Sequence, residues 1–311
     1  SANIGVAFSL PPAADATHAL SNPNARSVYV DGRGRAWLGM ATGDIDIVDP
    51  ATASVRQLKL TGTQVRRDIQ SVAEAPDGSI WVGTQGIARI DPQTFDIQDA
   101  ILPALDGGPV LTLLRVGPYM LIGTYNGAYR YDTRSGELIH YNHDASQPGS
   151  LVNNTVHDIQ RVGTQVWYAT NNGISIARDP LQTGGFINLT QRAGDPTSLP
   201  QNLVTSIATD TRGRIWVGTL DGLAMLPQGN VPPWRFQRFG TEAGLASDKI
   251  TALLPDDQGN LWASTSNGIA EIDGRTLQIR NLGMRDGQRI ASYIFYAAAA
   301  RMSDDTLLFG G

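Results

Sequence analysis

Short apolar runs recur along this chain at a nearly constant spacing. Seven times an aromatic residue or a leucine is followed by two or three small or β-branched residues, with steps of 44, 40, 46, 49, 46 and 46 residues. We call these runs the cassettes, and they occupy residues 37–39, 81–84, 121–124, 167–170, 216–219, 262–265 and 308–311. A period in the forties is typical of a propeller blade, which needs about that many residues for four short strands and their turns.

Each repeat has the same internal order of apolar runs and turns. A β-branched run such as 250–254 comes first, followed by a turn, the cassette, and a second turn of the Asn-Gly or Asp-Gly kind. These dipeptides are the strongest short hairpin signal, because a type I′ turn needs positive φ at both central residues. A third apolar run and a weaker fourth complete the unit. Three adjacent apolar residues, Ile215, Trp216 and Val217, indicate a sheet that is covered on both faces.

The two ends of the chain complement each other. Residues 307–311 have the pattern of a second strand, and residues 3–11 have the pattern of a third strand. The repeats follow one another without a linker, so we expect one domain over residues 1–311. The prediction is an all-β, seven-bladed β-propeller with four-stranded blades, whose last blade is closed by the N- and C-terminal strands (about 1–20 plus about 290–311). Such a closure leaves no open sheet edge.

Composition narrows the classes of partner. The net charge of −5, the pI near 5.3 and the lack of a basic run argue against nucleic-acid binding. Cysteine is absent, which excludes disulfides and thiol chemistry. The apolar stretch 290–300 is too short to span a bilayer.

One stretch combines the repeat features in a distinctive order. Residues 195–207 read Asp-Pro-Thr-Ser-Leu-Pro-Gln-Asn-Leu-Val-Thr-Ser-Ile and lead through Asp210 and Gly213 to the fifth cassette and Gly222-Leu223. Segments 149–156 and 244–250 repeat its opening. In this combination the chain resembles the two-component regulator propeller repeat, over essentially its whole length. It departs from the pattern where Leu121 and Leu308 replace Trp.

The resemblance implies a periplasmic sensor segment of a membrane-bound receptor, with a histidine kinase or diguanylate cyclase as its output. It implies that this segment is not itself an enzyme. It also implies a homodimeric full-length receptor, while the isolated chain is compatible with a monomer.

Candidate chemistry within the chain is sparse. His140 and His143 lie in a polar loop without the further ligands of a zinc signature, so we expect structural or solvated roles. His157 and Asp158 fall in an inner strand without a recognisable nucleophile. A group of aspartates beside turn glycines indicates turn formation rather than calcium binding, namely Asp31, Asp77, Asp210 and Asp257. We therefore expect no cofactor, no metal and no catalytic residue.

Binding residues are expected on one face of the propeller. The fourth-to-first-strand connections and the second-to-third-strand hairpins meet there, and the former are long, polar and varied. We predict a small carbohydrate-like or anionic ligand, or another periplasmic protein, at this face. The residues predicted to bind it are Arg66, Arg67, Asp68, Tyr125, Asn154, Asn171, Asn202, Asp221 and Lys249.

Two other functions stay open from the sequence. One is a protein–protein interaction scaffold that senses no small molecule. The other is a propeller lyase, for which His157 and Asp158 are the candidate pair.

Overall fold

The computed structural model describes residues 20–60, 68–98, 101, 102, 105, 108–282, 299–302, 304 and 306–310. Their elements are β-strands, apart from one short 3-10 helix at Thr241–Ala243.

Six four-stranded antiparallel sheets follow one another along the chain, each with its strands in chain order. We number them blades 1 to 6. Blades 1 to 3 contain β1 (Ala25–Val30), β2 (Ala36–Met40), β3 (Asp44–Asp49), β4 (Ser54–Lys59); β5 (Ser71–Glu74), β6 (Ile80–Gly83), β7 (Ile87–Ile90), β8 (Ile97–Gln98); and β9 (Val110–Val116), β10 (Tyr119–Thr124), β11 (Gly127–Asp132), β12 (Leu138–Tyr141). Blades 4 to 6 contain β13 (Val156–Val162), β14 (Gln165–Thr170), β15 (Gly173–Ala177), β16 (Ile187–Leu189); β17 (Val204–Thr209), β18 (Ile215–Thr219), β19 (Gly222–Leu226), β20 (Gln237–Phe239); and β21 (Ile250–Pro255), β22 (Leu261–Thr265), β23 (Gly268–Ile272), β24 (Ile279–Leu282).

The prediction of seven four-stranded blades is wrong, because the described residues form six four-stranded sheets. The last two strands, β25 (Ala299–Arg301) and β26 (Leu307–Phe309), form a sheet of only two strands. This small sheet lies between the ends of the series, since β25 contacts both β1 of blade 1 and β21 of blade 6. The N-terminal strand predicted to complete a seventh blade falls in residues 1–19, outside the described residues.

The hydrophobic core consists of layers between neighbouring blades. Each of five buried clusters draws its side chains from two consecutive blades; one of them joins Trp37 and Ile45 of blade 1 to Ile69 and Ile80 of blade 2. A sheet that packs on both faces needs apolar side chains at adjacent positions, which explains the runs of apolar residues seen in the sequence. Four of the cassette tryptophans lie in these layers, namely Trp37, Trp81, Trp167 and Trp216. Trp37, Trp167 and Trp216 are fully buried.

The cassette glycine lets the next blade approach closely. A Cβ atom on Gly39 would lie 2.5 Å from Cγ2 of Ile69 and 2.8 Å from its carbonyl oxygen, at the start of the inner strand of blade 2. On Gly123 it would lie 2.9 Å from the carbonyl oxygen of Val156, at the same place in blade 4. Backbone atoms cannot yield at such distances, so these positions require glycine.

An aspartate six residues before the tryptophan organises the first turn in three blades. The Trp216 indole N–H donates to Asp210 over 2.8 Å, and the backbone N–H groups of Arg212 and Arg214 donate to the same carboxylate. Asp31 makes the equivalent three bonds in blade 1. In blade 6, Asp256 accepts the Trp262 indole N–H and the backbone N–H of Asn260. The predicted turn role is therefore confirmed for Asp31 and Asp210.

For the other two aspartates the prediction needs adjustment. In blade 6 the turn residue is Asp256, whereas Asp257 forms an ion pair with Arg301. In blade 2, Asp77 accepts hydrogen bonds from the backbone and hydroxyl of Ser79, but it stands two residues later than the organising position.

Blade 2 lacks the organising aspartate altogether. Its place is taken by Ala75, which is buried, and the turn keeps the same backbone hydrogen bond from Ala75 N–H to the Ser79 carbonyl. The Trp81 indole nitrogen is buried without a hydrogen-bond partner. An unpaired buried donor costs roughly 1–3 kcal/mol.

We expect Ala75→Asp to raise the stability of the chain by about 1 kcal/mol, because the new carboxylate would accept the Trp81 N–H as Asp210 accepts that of Trp216. Thermal and urea unfolding would measure the change. The gain should disappear when Ala75→Asp is made in a Trp81→Phe background, where no indole N–H remains. An equal gain in both backgrounds, or a loss of stability, would contradict this account.

Candidate functional site

Two sets of connections are joined by hydrogen bonds on one face, which we call the loop-rich face. The backbone N–H of Gly127 in blade 3 donates to the Asn154 carbonyl, which precedes the inner strand of blade 4. Gly173 donates likewise to Asn202, over 2.6 Å, at the next boundary. Gly222 donates to Asp248 at the boundary between blades 5 and 6. The prediction that these connections meet on one face is confirmed.

The side chains of the same residues fasten the long loops. The amide oxygen of Asn154 accepts the backbone N–H of His143, and that of Asn202 accepts the N–H of Gln191, each over 2.6 Å. The carboxylate of Asp248 accepts the N–H of Thr241 over 2.7 Å. Asn154 and Asn202, which were predicted to bind the ligand, therefore use their side chains to fix the conformation of the loops on this face.

The remaining predicted residues are spread around the rim. Asp68 pairs with Arg26 of blade 1 over 3.1 Å. Asn171 is exposed, and its amide oxygen accepts a hydrogen bond from Nε2 of the His157 ring over 2.6 Å. Asp221 and Lys249 are also exposed, and the Tyr125 ring is 42 % exposed. Arg66 and Arg67 lie outside the described residues. Asp68 and Asn171 therefore contact residues of inner strands, Arg26 and His157. Tyr125, Asp221 and Lys249 are exposed to solvent.

The loop histidines have structural contacts. The His140 ring stacks on Tyr129 with centroids 4.2 Å apart, and its Nε2 lies 2.7 Å from the Asn126 carbonyl oxygen. Nδ1 of His143 lies 2.7 Å from the Leu151 carbonyl oxygen. Within the described ranges, no three His, Asp or Glu side chains gather as a metal site.

The opposite face has long connections in two blades, where residues 178–186 and 227–236 join the third strand to the fourth. Trp234 lies in the second of these connections. It packs against the core between blades 4 and 5, and its indole N–H donates to Asn230.

A central cavity of about 180 Å³, which we call the channel, lies between the inner strands. Every inner strand contributes to its wall, from β1 of blade 1 to β21 of blade 6, and Ala299 of β25 completes it. Five of the inner strands, β1, β9, β13, β17 and β21, carry a β-bulge near their start. His157 is the extra residue of the bulge in β13, which brings its side chain to the channel wall.

One ring of channel residues lies opposite the third cassette position of each blade. From blade 1 to blade 6 it comprises Ser27, Ser71, Thr112, Asp158, Ser206 and Ala252. The Ser27 hydroxyl donates to the Ile69 carbonyl and the Ser71 hydroxyl donates to that of Val110, each in the next blade. Asp158 is the one ionisable member of this ring.

The Asp158 carboxylate is buried at the boundary between blades 4 and 5. One oxygen accepts the backbone N–H of Ile207 over 2.9 Å, and the other accepts the side-chain N–H of Gln160 over 3.1 Å. Burial raises the pKa of Asp158 to about 6, against the lowering effect of these bonds. Burial also lowers the pKa of His157, so its ring stays neutral over a wider pH range. The carboxylate is thus the main source of charge in the channel.

From the sequence, Asp158 is a candidate only as the carboxylate partner of His157 in a lyase. The signal that would have identified it is positional: five blades carry a hydroxyl or alanine opposite the third cassette residue, and blade 4 carries a carboxylate there. The contacts of Asp158 are with Ile207 and Gln160, and that of His157 Nε2 is with Asn171. None of these hydrogen bonds joins His157 to Asp158.

Comparison with known proteins bears out the resemblance. Residues 198–221 and 244–267 match the family described as two component regulator propeller, so the chain carries repeats of this type in blades 5 and 6. No curated protein matches the chain.

Solved structures share the fold at low sequence identity. The extracellular domain of BT3049 from B. thetaiotaomicron, described as a hybrid two component system, aligns with a TM-score of 0.79 and 22% identity over 94% of this chain. The extracellular domain of BT4673 from the same organism, described as a one component system, gives 0.71 and 20% over 93%. The WD40 β-propeller domain of Doa1 gives 0.64 and 14% over 95% of this chain and 92% of its own. The chain spans only 38% and 37% of the two extracellular domains.

No helix in the described part of the chain is long and apolar enough to cross a membrane.

The raised pKa of Asp158 predicts a pH-dependent loss of stability. The native pKa of about 6 lies above the value of about 3.9 for an unfolded chain. The stability linked to this carboxyl is therefore fully present below about pH 4 and lost as the pH rises through 6. Asp158→Asn keeps the shape and an acceptor for Ile207 but removes the charge. We expect the stability of the variant relative to wild type to rise by roughly 2–3 kcal/mol from pH 4 to pH 7.

Urea unfolding at several pH values would measure this difference. Glu137→Gln is the matched control, because it removes an exposed carboxylate between β11 and β12 and should run parallel to wild type. A curve for Asp158→Asn that is also parallel to wild type would show that Asp158 titrates normally.

Proposed function

We propose that this chain is a non-catalytic, extracytoplasmic sensory propeller of a membrane-bound signalling receptor. The observation that carries the proposal is the alignment of 94% of the chain with part of the extracellular domain of a hybrid two component system, together with the matching propeller repeats in blades 5 and 6. On this proposal the chain lies in the periplasm, and the output of the receptor is a histidine kinase or a diguanylate cyclase.

We place the binding site for the signal on the loop-rich face. Asn154, Asn202 and Asp248 fasten the loops there, so the rim is a fixed surface on which a ligand would find preformed contacts. The exposed Tyr125 ring offers a flat surface for a sugar, and the exposed Lys249 offers a positive charge for an acidic group. A carbohydrate-like or anionic ligand suits this pair better than a cationic one.

Signalling would follow from a shift between two arrangements of a receptor dimer. A ligand can shift such an equilibrium only by the difference between its affinities for the two arrangements. The affinities would differ if the second subunit or a partner protein covered part of the rim in only one arrangement. A rim that spans several blades is large enough for such partial coverage. The alternative partner is a periplasmic protein that binds the same face.

A thermal-shift screen of the purified chain against oligosaccharides, uronic acids, amino acids and short peptides tests the proposal. A ligand at 100 times its dissociation constant should add about 2.7 kcal/mol of stability, which raises the melting temperature visibly. We expect a hit among acidic or neutral sugars, with binding weakened about tenfold or more by Tyr125→Ala or Lys249→Ala.

The matched control is again Glu137→Gln, whose exposed side chain lies beside the outer strand β12. A hit that is insensitive to both rim variants would remove the site from the loop-rich face. No shift across the whole library would favour the protein-binding alternative, which pull-down with periplasmic extract and the same two variants would then examine.

A further inference from the structure

The inner strand of each blade has one edge that its own sheet leaves open. In all six four-stranded sheets the inner strand stands first in the order and pairs only with the second strand. The inner strands surround the channel, so these open edges face it. An edge strand presents the N–H and C=O groups of alternate residues away from its sheet. Rows of backbone donors and acceptors therefore converge on the channel from every blade.

The turn after the inner strand shows which residues present these groups. The N–H of Asp210 donates to the Arg214 carbonyl within blade 5, so the alternation along β17 turns the backbone groups of Ile207 towards the channel. In agreement, the Ile207 N–H donates to Asp158, a residue of another blade. The residues at the same register position in the other five blades are Val28, Val72, Leu113, Ile159 and Leu253.

These residues line the channel with their backbone. Their side chains belong to the hydrophobic layers, as Val72 does between blades 1 and 2 and Leu253 between blades 5 and 6. Five of the six residues nevertheless form part of the channel wall, namely Val28, Val72, Leu113, Ile207 and Leu253. Since the side chains pack away from the channel, the surface that these residues offer to an occupant consists of N–H and C=O groups.

We propose that the channel binds a small, neutral cyclic polyol, whose hydroxyl groups bond to the backbone N–H and C=O groups of the inner strands. A hydroxyl both donates and accepts, so it suits a wall on which donors and acceptors alternate. A cyclic polyol carries hydroxyl groups on all sides of its ring, as the wall carries backbone groups on all sides of the channel. The volume of about 180 Å³ limits the ligand to the size of a single six-membered ring. This site is separate from the rim and does not depend on the receptor role proposed above.

Other classes of occupant fit the wall less well. An anion only accepts hydrogen bonds, is repelled by Asp158, and finds no Lys or Arg in the described wall. A cation only attracts acceptors, whereas half of the edge groups are N–H donors, and Asp158 already accepts from Ile207 and Gln160. An apolar ring would fill the space but would leave the backbone groups without hydrogen bonds.

Isothermal titration of the purified chain with myo-inositol tests the proposal. Titration is preferable to a melting experiment here, because polyols at high concentration raise the stability of most proteins by exclusion from their surface. A ligand of this size binds weakly, so we expect a dissociation constant of about 1 mM. Cyclohexanol keeps the ring with one hydroxyl, and myo-inositol 1-phosphate adds negative charge. Both should bind at least about tenfold more weakly than myo-inositol.

Variants that narrow the channel locate the site. Ala299→Leu and His157→Trp each place a larger side chain at the wall, and each should weaken myo-inositol binding at least about tenfold because they reduce the space for the ring. Ala51→Leu is the matched control, since it makes the same exchange in the exposed turn between β3 and β4 and should leave the affinity unchanged. If Ala299→Leu does not fold, His157→Trp and the comparison with cyclohexanol decide the question.

Three results would overturn the proposal. The first is no saturable binding of myo-inositol up to about 30 mM, well above the expected constant. The second is binding of cyclohexanol or myo-inositol 1-phosphate with equal affinity. The third is myo-inositol binding that is insensitive to both channel variants but weakened by Tyr125→Ala or Lys249→Ala, which would place the ligand on the rim. Failure of the channel site leaves the rim site untouched, since each is tested with its own residues.

Discussion

The close approach of each blade to the next is the constraint on which the rest of this structure depends. Between blades 1 and 2, atoms of Ile69 come within 2.8 Å of the place where a Cβ atom on Gly39 would lie. Between blades 3 and 4, atoms of Val156 come within 2.9 Å of the Cβ position of Gly123. This contact brings the inner strand of one blade over the second strand of the previous one. The tryptophan layers, the shared hydrogen bonds of the loop-rich face and the narrow channel all require that spacing.

Blade 4 shows what happens when the constraint changes. Its third cassette residue is Ala169, and the residue opposite it in the inner strand is Asp158, where the other five blades have serine, threonine or alanine. The carboxylate is longer than a hydroxymethyl group and reaches the backbone N–H of Ile207 in blade 5. A local exchange in the repeat therefore places an acid in the channel wall, and the burial of that acid determines its pKa.

The fold class was predictable from the sequence because period and turn chemistry are local signals. The Asn-Gly turns and the apolar cassettes define four strands per repeat, and the structure has them. The number of blades was not predictable in the same way. The seventh blade was counted on the assumption that strands from the N- and C-terminal segments pair with each other. Among the described residues, the short strands Ala299–Arg301 and Leu307–Phe309 form a sheet of only two strands. Asn154 and Asn202 lie on the loop-rich face, as the repeat pattern predicts, but their fastening bonds depend on backbone geometry that composition does not reveal.

The hydrogen bonds from Gly127 to Asn154, from Gly173 to Asn202 and from Gly222 to Asp248 repeat one geometry at three successive boundaries. The hydrogen bond at each of these boundaries involves only the two neighbouring blades, so it does not depend on the total number of blades. A whole repeat could therefore be gained or lost by duplication or deletion of its gene segment without leaving any boundary unmatched. Size and binding surface can then change in evolution by steps of one blade, while the rule that joins the blades stays the same.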